Sequence, residues 1–403
     1  MNLYIIPSWY PKNSDDIGYC FFREQVHALA DRGHNVTVIH ITPVSCTQIF
    51  REPMCQRREW QDGNVRTIFY KIIIPIPSKL SKIQNWYISR KFTHIIGEQI
   101  KKDIQQGHQV PDIIHAHVSH SCGYYCLMAS KKFKLPLVVT EHYSGLLLGT
   151  ASKEDYERVK STILEANAFI FVGSNFQKSV CNGLKIQKKT YVIPNMIDKS
   201  LFPVNLKNKD KTKLYINNHK YEKNYDCFIF LCACHLKEHK GVANVIKSFH
   251  IAFTNYKNIR LIIAGDGKER NTLEQLTKDL GETSRISFIG KYKRNDVSKI
   301  FEKADAFVLV SKVEPFGVVY IEALMCGLPC IGTIGQGAED IIDDSNGIKV
   351  QYGDVNALVD AMQKIYMNKN NYDNVLIRRN CESTFSANAV CQKIEHIYSI
   401  VKE

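Results

Sequence analysis

Short apolar runs alternate with stretches at helical spacing along almost the whole chain of 403 residues. The strand candidates are LYIIP, NVTVIHI, DIIHAHV, LPLVVTEH, FIFVGS and TYVIPN in the first half, and CFIFLCACH, IRLIIAGDG, ISFIG, AFVLVS, LPCIGT and GIKVQ in the second. These runs are continuously apolar, which is typical of strands that are buried on both faces. Because strands that alternate with helices form parallel sheets covered by helices, the pattern predicts an α/β fold.

A polar segment separates the two series of strands. Residues 207–226, KNKDKTKLYINNHKYEKNYD, are charged and poor in aliphatic side chains, as linkers and surface excursions commonly are. The chain is also too long for one ordinary hydrophobic core. We therefore predict two doubly wound, Rossmann-like domains that face each other across a cleft. The predicted boundaries are 1–200 for the first domain, 201–224 for the linker or surface excursion, 225–385 for the second domain, and 386–403 for a final helix that packs back toward the first domain.

Composition limits the classes of protein to which the chain can belong. Hydrophobic residues make up 44% and charged residues 23% of the chain, as in globular proteins, and no apolar run is long enough to span a bilayer. The N-terminus, MNLYIIPSWYP, reads as a first strand rather than a signal peptide. Thirteen scattered cysteines without paired CxxC elements favour free thiols in a reducing compartment. We therefore expect a cytoplasmic protein.

The net charge of +13 is unevenly distributed. Between residues 51 and 103, eleven Lys and Arg stand against five acidic residues, and aromatic residues lie among them. Such a mixture suits an anionic membrane surface or a lipid-linked anion, although an excess of charge can also serve solubility alone. No nucleic-acid-binding motif is visible, so we expect no nucleic-acid partner. The residues predicted to face an acceptor or a membrane are Lys79, Lys82, Trp86, Arg90 and Lys91.

One segment places two carboxylates in an otherwise apolar setting. EPFGVVYIEALMCG begins at Glu314, directly after the predicted strand AFVLVS, so this glutamate is expected in the loop at the carboxyl end of that strand. Pro315 disfavours helix at the residue before it and can serve in the first turn of the helix that follows. Glu322 then lies early in that helix. The helix start, with Gly317 nearby, offers N–H groups to an anion.

Paired carboxylates admit several interpretations. They suit the acid and base of a glycosidase, a metal site, or a clamp for adjacent hydroxyls of a ribose or another sugar. They are equally consistent with an exposed Glu314 and a Glu322 that merely offsets the helix macrodipole. The chain contains no D-x-D sequence, which makes a metal site less favoured. The spacing of the two glutamates does not discriminate between a glycosidase pair, a hydroxyl clamp and a purely structural role.

Glycine-containing turns follow other strands in the same half. HLKEHKGV, residues 235–242, places Lys240 and Gly241 at a predicted helix start, where a cation and a glycine suit a diphosphate. AGDG at 264–267, FIGKY at 288–292 and GQGAED at 335–340 are weak signals singly. Since ligands of such sheets bind beyond the carboxyl ends of strands, their order beside the two glutamates favours a nucleotide sugar.

Taken in order, these segments resemble the retaining glycosyltransferases of family 4, which have the GT-B fold. The resemblance spans nearly the whole chain. It implies an acceptor-side N-terminal domain and a nucleotide-sugar-binding C-terminal domain. The motifs that carry it are KG at 240–241, AGDG at 264–267, FIG at 288–290, EPFGVVYIEALMCGLP at 314–329 and GQGAED at 335–340, of which the E-x7-E segment is the most specific.

The resemblance implies a role for each matching residue. Glu322 would hold the ribose hydroxyls of the donor, Glu314 would lie near the transferred sugar, and Lys240 would bind the diphosphate. His235 stands where the family commonly has an arginine, and a neutral histidine is the weaker phosphate ligand. The other implied donor-binding positions are Phe316, Gly317 and Val318 through their main chain, Gly241, Gly265, and, beside the base, Ile289 and Gly290.

The N-terminal half contributes two further candidates through the same resemblance. Gly18 matches a glycine loop that approaches the diphosphate, and His142 matches a histidine that contacts the donor sugar near the reacting carbon. A plain surface loop and a structural histidine are the competing interpretations of these two positions. His115 and His117, at another strand end, are second choices for acceptor or core roles.

The implied reaction moves a sugar from a nucleoside diphosphate sugar, with UDP or GDP favoured, to a hydroxyl of a saccharide acceptor, with the anomeric configuration retained. Glu314, His142 and Lys240 are the implied catalytic residues. Neither a metal nor a cofactor beyond the nucleotide sugar is expected. The basic segment suggests a lipid-linked acceptor in surface polysaccharide or glycolipid synthesis, with the protein peripheral on the inner face of the cytoplasmic membrane.

Two competing functions remain open. A nucleotide-sugar epimerase or a phosphorylase would share the fold, but the first needs no acceptor and the second consumes or releases inorganic phosphate. A non-catalytic glycan- or nucleic-acid-binding protein belongs to a different class. Slow hydrolysis of a nucleotide sugar would argue against it, and tight DNA binding with steep salt dependence would support it.

Overall fold

The computed structural model describes residues 1–11, 20–45, 57–203 and 227–403, together with the backbone of 213–216 and 219–222. Within these residues, two largely parallel sheets are each covered by helices on both faces. Apolar runs such as LYIIP and FIFLCA form strands that are buried almost throughout. The predicted α/β fold of two doubly wound domains is confirmed.

The first sheet has the strand order β3-β4-β2-β1-β5-β6-β7-β8. Its strands are β1 Asn2–Pro7, β2 Asn35–Ser45, β3 Arg57–Asp62, β4 Val65–Ile74, β5 Ile113–His117, β6 Leu137–Glu141, β7 Ala168–Phe171 and β8 Tyr191–Val192. The helices beside them are α1 Cys20–Asp31, α2 Ser81–Gln105, α3 Tyr124–Phe133, α4 Gly145–Leu148, α5 Lys153–Glu165 and α6 Ser174–Leu184.

The second sheet has the order β13-β12-β11-β14-β15-β16. Between the two sheets, β9 Lys213–Ile216 and β10 His219–Glu222 form an antiparallel pair inside the segment predicted as a linker or surface excursion. The remaining strands are β11 Phe228–Ala233, β12 Ile259–Ala264, β13 Ile286–Gly290, β14 Ala306–Val308, β15 Cys330–Thr333 and β16 Gly347–Val350. The remaining helices are α7 Val242–Ala252, α8 Arg270–Asp279, α9 Val297–Phe301, α10 Val318–Met325, α11 Val355–Met367, α12 Asn374–Phe385 and α13 Ala387–Lys402.

The strand order reverses once in each sheet, between β1 and β5 and between β11 and β14. Such switch points open a crevice beyond the carboxyl ends of the strands, where ligands of doubly wound sheets bind. The loops after β5 and β14 therefore occupy the two positions at which a ligand is most expected.

The C-terminal helix α13 returns to the first domain. The Tyr398 hydroxyl lies 2.7 Å from His115 Nδ1, and Arg32 Nε donates to Glu395 Oε1 at 2.7 Å. Tyr398 is fully buried, so α13 completes the apolar core beneath β1 and β2. The two domains are thus tied together by packing away from the cleft as well as at it.

The hairpin β3–β4 was missed in the sequence, because residues 51–103 were interpreted only through their charge. Gly63, with φ +59°, and Asn64 form its turn, since Asp62 is paired with Val65, and β3 runs antiparallel to β4 at the sheet edge. A Gly-Asn pair is a two-residue hairpin loop, and sequence reasoning should have used this signal.

Candidate functional site

Loops from both domains meet at the carboxyl ends of the two sheets. The Ser174 N–H, just after β7, donates to Asp340 Oδ2 at 2.6 Å, and Asp340 follows β15. A Cβ at Gly173 would lie 2.3 Å from the Pro315 carbonyl oxygen, so the two domains touch here through backbone. The predicted cleft residues are therefore held in a defined relation across the domain boundary.

The EPFG segment forms a loop and then a helix, with its two glutamates in different settings. Helix α10 begins at Val318, with Gly317 as its N-terminal cap at φ +90°. The expectation that Pro315 serves in the first helical turn is wrong, because the loop turns through Gly317 before the helix starts. A Cβ at Gly317 would lie 2.6 Å from the Tyr320 ring, so only glycine fits. Glu314 remains in the loop, while Glu322 lies inside the helix and is buried.

The GQG turn after β15 packs against the EPFG loop and is hydrogen-bonded to it. Glu314 N–H donates to Gln336 Oε1 at 3.0 Å, and Gly337 N–H donates to the Glu314 carbonyl oxygen at 2.8 Å. A Cβ at Gly337 would lie 2.0 Å from the Phe316 carbonyl oxygen. The glycine at 337 is therefore needed for close packing against the EPFG backbone.

Lys240 and Glu314 form an ion pair between two strand-end loops. Lys240 Nζ lies 2.6 Å from Glu314 Oε2, and the two side chains are 18% and 12% exposed. Burial lowers the pKa of Lys240, but the charge and hydrogen bond of Glu314 outweigh burial, so the pKa of Lys240 is raised. The ammonium group therefore persists beside the N-terminus of α7, where an anion is also favoured.

The turn that presents Lys240 depends on a glycine. Gly241 has φ +69°, and a Cβ there would lie 2.2 Å from the Val310 carbonyl oxygen in the loop after β14. The AGDG turn is equally tight, because a Cβ at Gly265 would lie 1.9 Å from the Cys234 carbonyl oxygen. These glycines bring the loops after β11, β12 and β14 into contact.

Glu322 is held by a buried arginine that also reaches the other domain. Arg294 Nη1 contacts Glu322 Oε1, and Arg294 Nε lies 2.8 Å from Glu24 Oε1 on α1. The side chains of Arg294, Glu24 and Glu322 are 7%, 9% and 5% exposed. Within the described residues, Glu322 Oε2 accepts no hydrogen bond, so one oxygen remains for a ligand.

The charge state of Glu322 depends on this arginine. Burial raises the pKa of Glu322, and the charge and hydrogen bond of Arg294 offset part of that increase. An ionised carboxylate accepts hydrogen bonds, as a clamp for ribose hydroxyls requires. Arg294 thus supports the predicted role of Glu322 without being part of any motif.

Three histidines form a buried column in the first domain. His115 Nε2 lies 2.8 Å from Thr140 Oγ1, the His115 and His117 rings stack at 4.5 Å, and His117 Nδ1 lies 3.1 Å from His142 Nε2. Burial lowers the pKa of His142 to about 3, with a further contribution from His115. His142 Nδ1 is buried without a partner among the described residues, so this neutral ring keeps one nitrogen for a ligand.

A buried carboxylate fixes the backbone around His142. Glu141 accepts hydrogen bonds from the N–H groups of Ser119, His142 and Tyr143 at 2.9, 2.8 and 2.7 Å, and from the Ser119 hydroxyl. The preceding Val118 has φ +74°, a rare value for a β-branched residue. Such strain persists where surrounding contacts determine the backbone, and it clusters at functional sites.

His142 lies near the same helix that carries Glu24. Its ring centroid is 5.1 Å from that of Phe21 and 4.9 Å from that of Phe22, in the first turn of α1. Through α1, His142 is connected to the Glu24–Arg294–Glu322 group of the second domain. Gly18, predicted in the loop before α1, lies outside the described residues.

The remaining predicted donor residues surround the same loops. His235 Nδ1 contacts the Asp266 carbonyl oxygen in the AGDG turn, so Nδ1 carries the proton and only Nε2 can face a ligand. Ile289 is buried, and Gly290, with φ +73°, accepts a hydrogen bond from Gly265 N–H at 2.8 Å. To donate to a phosphate, His235 would therefore have to be protonated.

The predicted acceptor or membrane residues lie elsewhere, around the start of α2. Lys79 and Leu80 precede the helix, and Lys82, Trp86 and Arg90 are exposed on it, with Lys91 partly buried. They do not contact the loops around Glu314 and Glu322 in any hydrogen bond or ion pair among the described residues. They form a separate surface of the first domain.

Sequence reasoning missed Arg294, Glu24 and Glu141. Arg294 comes four residues after FIG and Glu24 lies on an amphipathic helix, so neither stands out by type or spacing. Glu141 directly precedes His142 at the end of a buried strand, and a carboxylate in such a run was the available signal.

The fold is that of the GT-B glycosyltransferases. A solved structure of sucrose-phosphate synthase from Thermosynechococcus elongatus matches 99% of this chain and 98% of its own, with a TM-score of 0.74 and 19% identity. The family model described as Glycosyltransferase Family 4 matches residues 21–201, and the one described as Glycosyl transferases group 1 matches 216–380. Since the two together span both domains, the chain belongs to the group 1 glycosyltransferases.

Curated relatives agree with this membership. The N-acetyl-alpha-D-glucosaminyl L-malate synthase of Bacillus anthracis is 24% identical over 71% of this chain and 74% of its own length. The alpha-monoglucosyldiacylglycerol synthase of Acholeplasma laidlawii is 26% identical over 69% of this chain and 75% of its own length. The chain is thus a glycosyltransferase, as predicted.

Two negative observations apply to the described part of the chain. No three His, Cys, Asp or Glu side chains there are grouped as ligands of a metal ion would be. Among the helices that the structure describes, none has both the length and the apolar composition to cross a bilayer.

Proposed function

We propose that this glycosyltransferase moves a sugar from a UDP- or GDP-sugar to a hydroxyl of a saccharide acceptor and retains the anomeric configuration. The observation that carries the proposal is the Lys240–Glu314 ion pair, which lies just before α7 and α10, together with the buried Glu322 on α10. A cation and two helix N-termini suit a diphosphate. In this proposal, Glu314 positions the transferred sugar and Glu322 holds the ribose hydroxyls.

The proposed chemistry needs no protein nucleophile. The acceptor oxygen attacks the anomeric carbon on the face from which the diphosphate leaves, and a phosphate oxygen of the leaving group takes the acceptor proton. Lys240 and the N–H groups at the starts of α7 and α10 stabilise the charge that grows on the diphosphate. The neutral ring of His142 and the carboxyl group of Glu314 orient the sugar hydroxyls, and closure of the cleft excludes water. Metal independence is part of the proposal.

For the acceptor, we propose a lipid-linked saccharide of surface polysaccharide or glycolipid synthesis, met at the inner face of the cytoplasmic membrane. Support comes from the exposed basic and aromatic residues around the start of α2, and from a relative whose name refers to diacylglycerol. Charge reversal at Lys79, Lys82, Arg90 and Lys91 should release the protein from anionic vesicles. Unchanged sedimentation with vesicles would refute this part of the proposal.

The donor is best identified by a thermal-shift screen across UDP, GDP, ADP and CMP and their sugars. A ligand that binds only the folded state at a hundred times its Kd stabilises it by about 2.7 kcal/mol. We expect the shift for one nucleotide, a smaller shift in Lys240→Met, and an unchanged shift in the control Lys257→Met, which alters an exposed lysine between α7 and β12. No shift with any nucleotide would refute the proposed donor class.

Product analysis then separates transfer from related reactions. The favoured nucleotide sugar should be hydrolysed slowly without an acceptor and consumed faster with one. Conversion of the sugar into its epimer, or release of inorganic phosphate during the reaction, would contradict glycosyl transfer by the proposed route.

A further inference from the structure

A groove lies on the outer surface of the first domain, between α2 and α3. Its volume is about 790 Å³, comparable with that of ligand-binding pockets. Its described lining residues are Trp86, Tyr87, Arg90, Lys91, Thr93, His94, Met128 and Lys132. Sequence reasoning singled out three of these residues but not the contribution of α3.

The groove is cationic. Arg90, Lys91 and Lys132 line it together with His94, and none of the described lining residues is acidic. Among the described residues, no carboxylate is ion-paired with any of the three permanent cations, although exposed lysines elsewhere on these helices, such as Lys131, are paired. The positive charge is therefore available to an anion from outside.

Aromatic rings orient two of these cations. The Arg90 guanidinium carbon lies 4.9 Å from the Trp86 ring centroid, and Lys91 Nζ lies 5.4 Å from that of Tyr87. The ring quadrupole attracts a cation that lies over an aromatic face and so restricts its position. This arrangement suits a phosphate oxyanion more than a diffuse layer of counterions.

An exposed apolar row continues from the groove toward the cleft edge of the domain. Leu80, Ile83 and Trp86 are 47%, 54% and 52% exposed and lie at intervals of three residues. Because α2 and α3 both follow strands of a parallel sheet, they begin at the carboxyl edge, where the cleft lies. Apolar side chains flanked by lysine and arginine are typical of helices that lie in a membrane interface.

We propose that the groove between α2 and α3 binds the phosphate of an anionic membrane lipid, while Leu80, Ile83 and Trp86 enter the headgroup region. This inference rests on the proposed function, in which the protein works at the membrane surface, and extends it. It adds a defined headgroup site formed by Arg90, Lys91 and Lys132. A lipid held there would bring the cleft edge, and so the acceptor site, to the membrane surface.

The test measures binding of the full chain to phosphatidylcholine vesicles with and without phosphatidylglycerol. The groove variant is Arg90→Gln/Lys91→Gln/Lys132→Gln. The matched control, Lys257→Gln/Lys278→Gln/Lys364→Gln, removes the same charge from exposed positions of the second domain. Each cation near an anionic surface contributes roughly fivefold to affinity, so the groove variant should lose on the order of a hundredfold.

Three outcomes would refute the proposal that the groove binds the phosphate of an anionic lipid. Equal losses in the groove variant and the control would show that net charge alone drives binding. Binding that is equally tight without phosphatidylglycerol would exclude an anionic headgroup. Competition by soluble glycerol phosphate or inorganic phosphate as strong as that by vesicles would identify a free phosphate, rather than a lipid, as the ligand.

An independent readout separates this proposal from the proposed function. Ile83→Glu should weaken vesicle binding without removing a cation, while the thermal shift with the favoured nucleotide shows that each variant is folded. If the unaltered chain binds anionic vesicles through the groove but hydrolyses no nucleotide sugar, the proposed function is refuted and the lipid-binding role of the groove is supported. If it turns over a nucleotide sugar but does not bind anionic vesicles, the lipid-binding role of the groove is refuted and glycosyl transfer is supported.

Discussion

Replacement of Arg294 by methionine should both destabilise the chain and weaken nucleotide binding. Arg294 neutralises Glu24 from the first domain and Glu322 from the second, and all three side chains are at least nine-tenths buried. Arg294→Met leaves two buried carboxylates without their cation. Removing one partner of a buried ion pair costs about 3–5 kcal/mol.

The pH dependence distinguishes this mechanism from a general packing defect. Burial raises the pKa of Glu322, and in Arg294→Met no guanidinium offsets that increase. A carboxyl whose pKa is raised in the folded state makes folding less favourable as pH rises above its unfolded value of about 4.3. The stability deficit of the variant should therefore be larger at about pH 8 than at about pH 5. Nucleotide affinity should instead recover as pH rises and Glu322 ionises.

Urea unfolding and nucleotide calorimetry at both pH values measure these effects. Arg270→Met is the matched control, since Arg270 pairs with Glu274 at 2.8 Å while the two side chains are 29% and 36% exposed. An exposed pair contributes about 0–1 kcal/mol, so the control should lose little. A deficit in Arg294→Met that is as small as that of the control, or that does not change with pH, would refute the reasoning.

Four further changes have defined outcomes. Acidification should destabilise the chain, because burial lowers the pKa of His115 to about 3 and that of His117 well below its usual range. The free energy of unfolding should fall as pH drops below the unfolded pKa of about 6.5, by about 2 kcal/mol per histidine at pH 5. Equal urea midpoints at pH 7 and pH 5 would contradict this. Lys240→Met should lower nucleotide affinity tenfold or more by calorimetry, since a charge-assisted hydrogen bond contributes about 1.5–3 kcal/mol, whereas Glu314→Gln should lower kcat more than affinity. Gly241→Ala should lower Tm, because its φ of +69° disfavours a side chain, and an unchanged Tm would show that the turn can relax.

The sequence predicted the elements of the fold well where burial leaves a simple pattern. Strands such as β1 and β11 are buried on both faces, so they read as continuous apolar runs. Strand β3 has six residues that are exposed or nearly so, RREWQD, and carries no such pattern. The charged residues of β3 gave no strand pattern, and the only local signal of the hairpin was its turn at Gly63 and Asn64.

The candidate site was predictable only where its residues share a short segment. Glu314, Gly317 and Glu322 lie in one motif, so their setting followed from proline, glycine and helix rules. Lys240 and Glu314 are 74 residues apart, and their contact depends on the parallel order of β11 and β14. Arg294 and Glu24 are 270 residues apart and belong to different domains, so their contact leaves no local signal.

The central claim is that the chain transfers a sugar from a nucleoside diphosphate sugar with retention. It is tested most directly by proton NMR of the sugar released when the unaltered protein hydrolyses the α-linked nucleotide sugar that the thermal-shift screen selects. Water then replaces the unknown acceptor, and the anomer formed first is seen before mutarotation. The account predicts that the α-anomer appears first. Initial release of the β-anomer would contradict it.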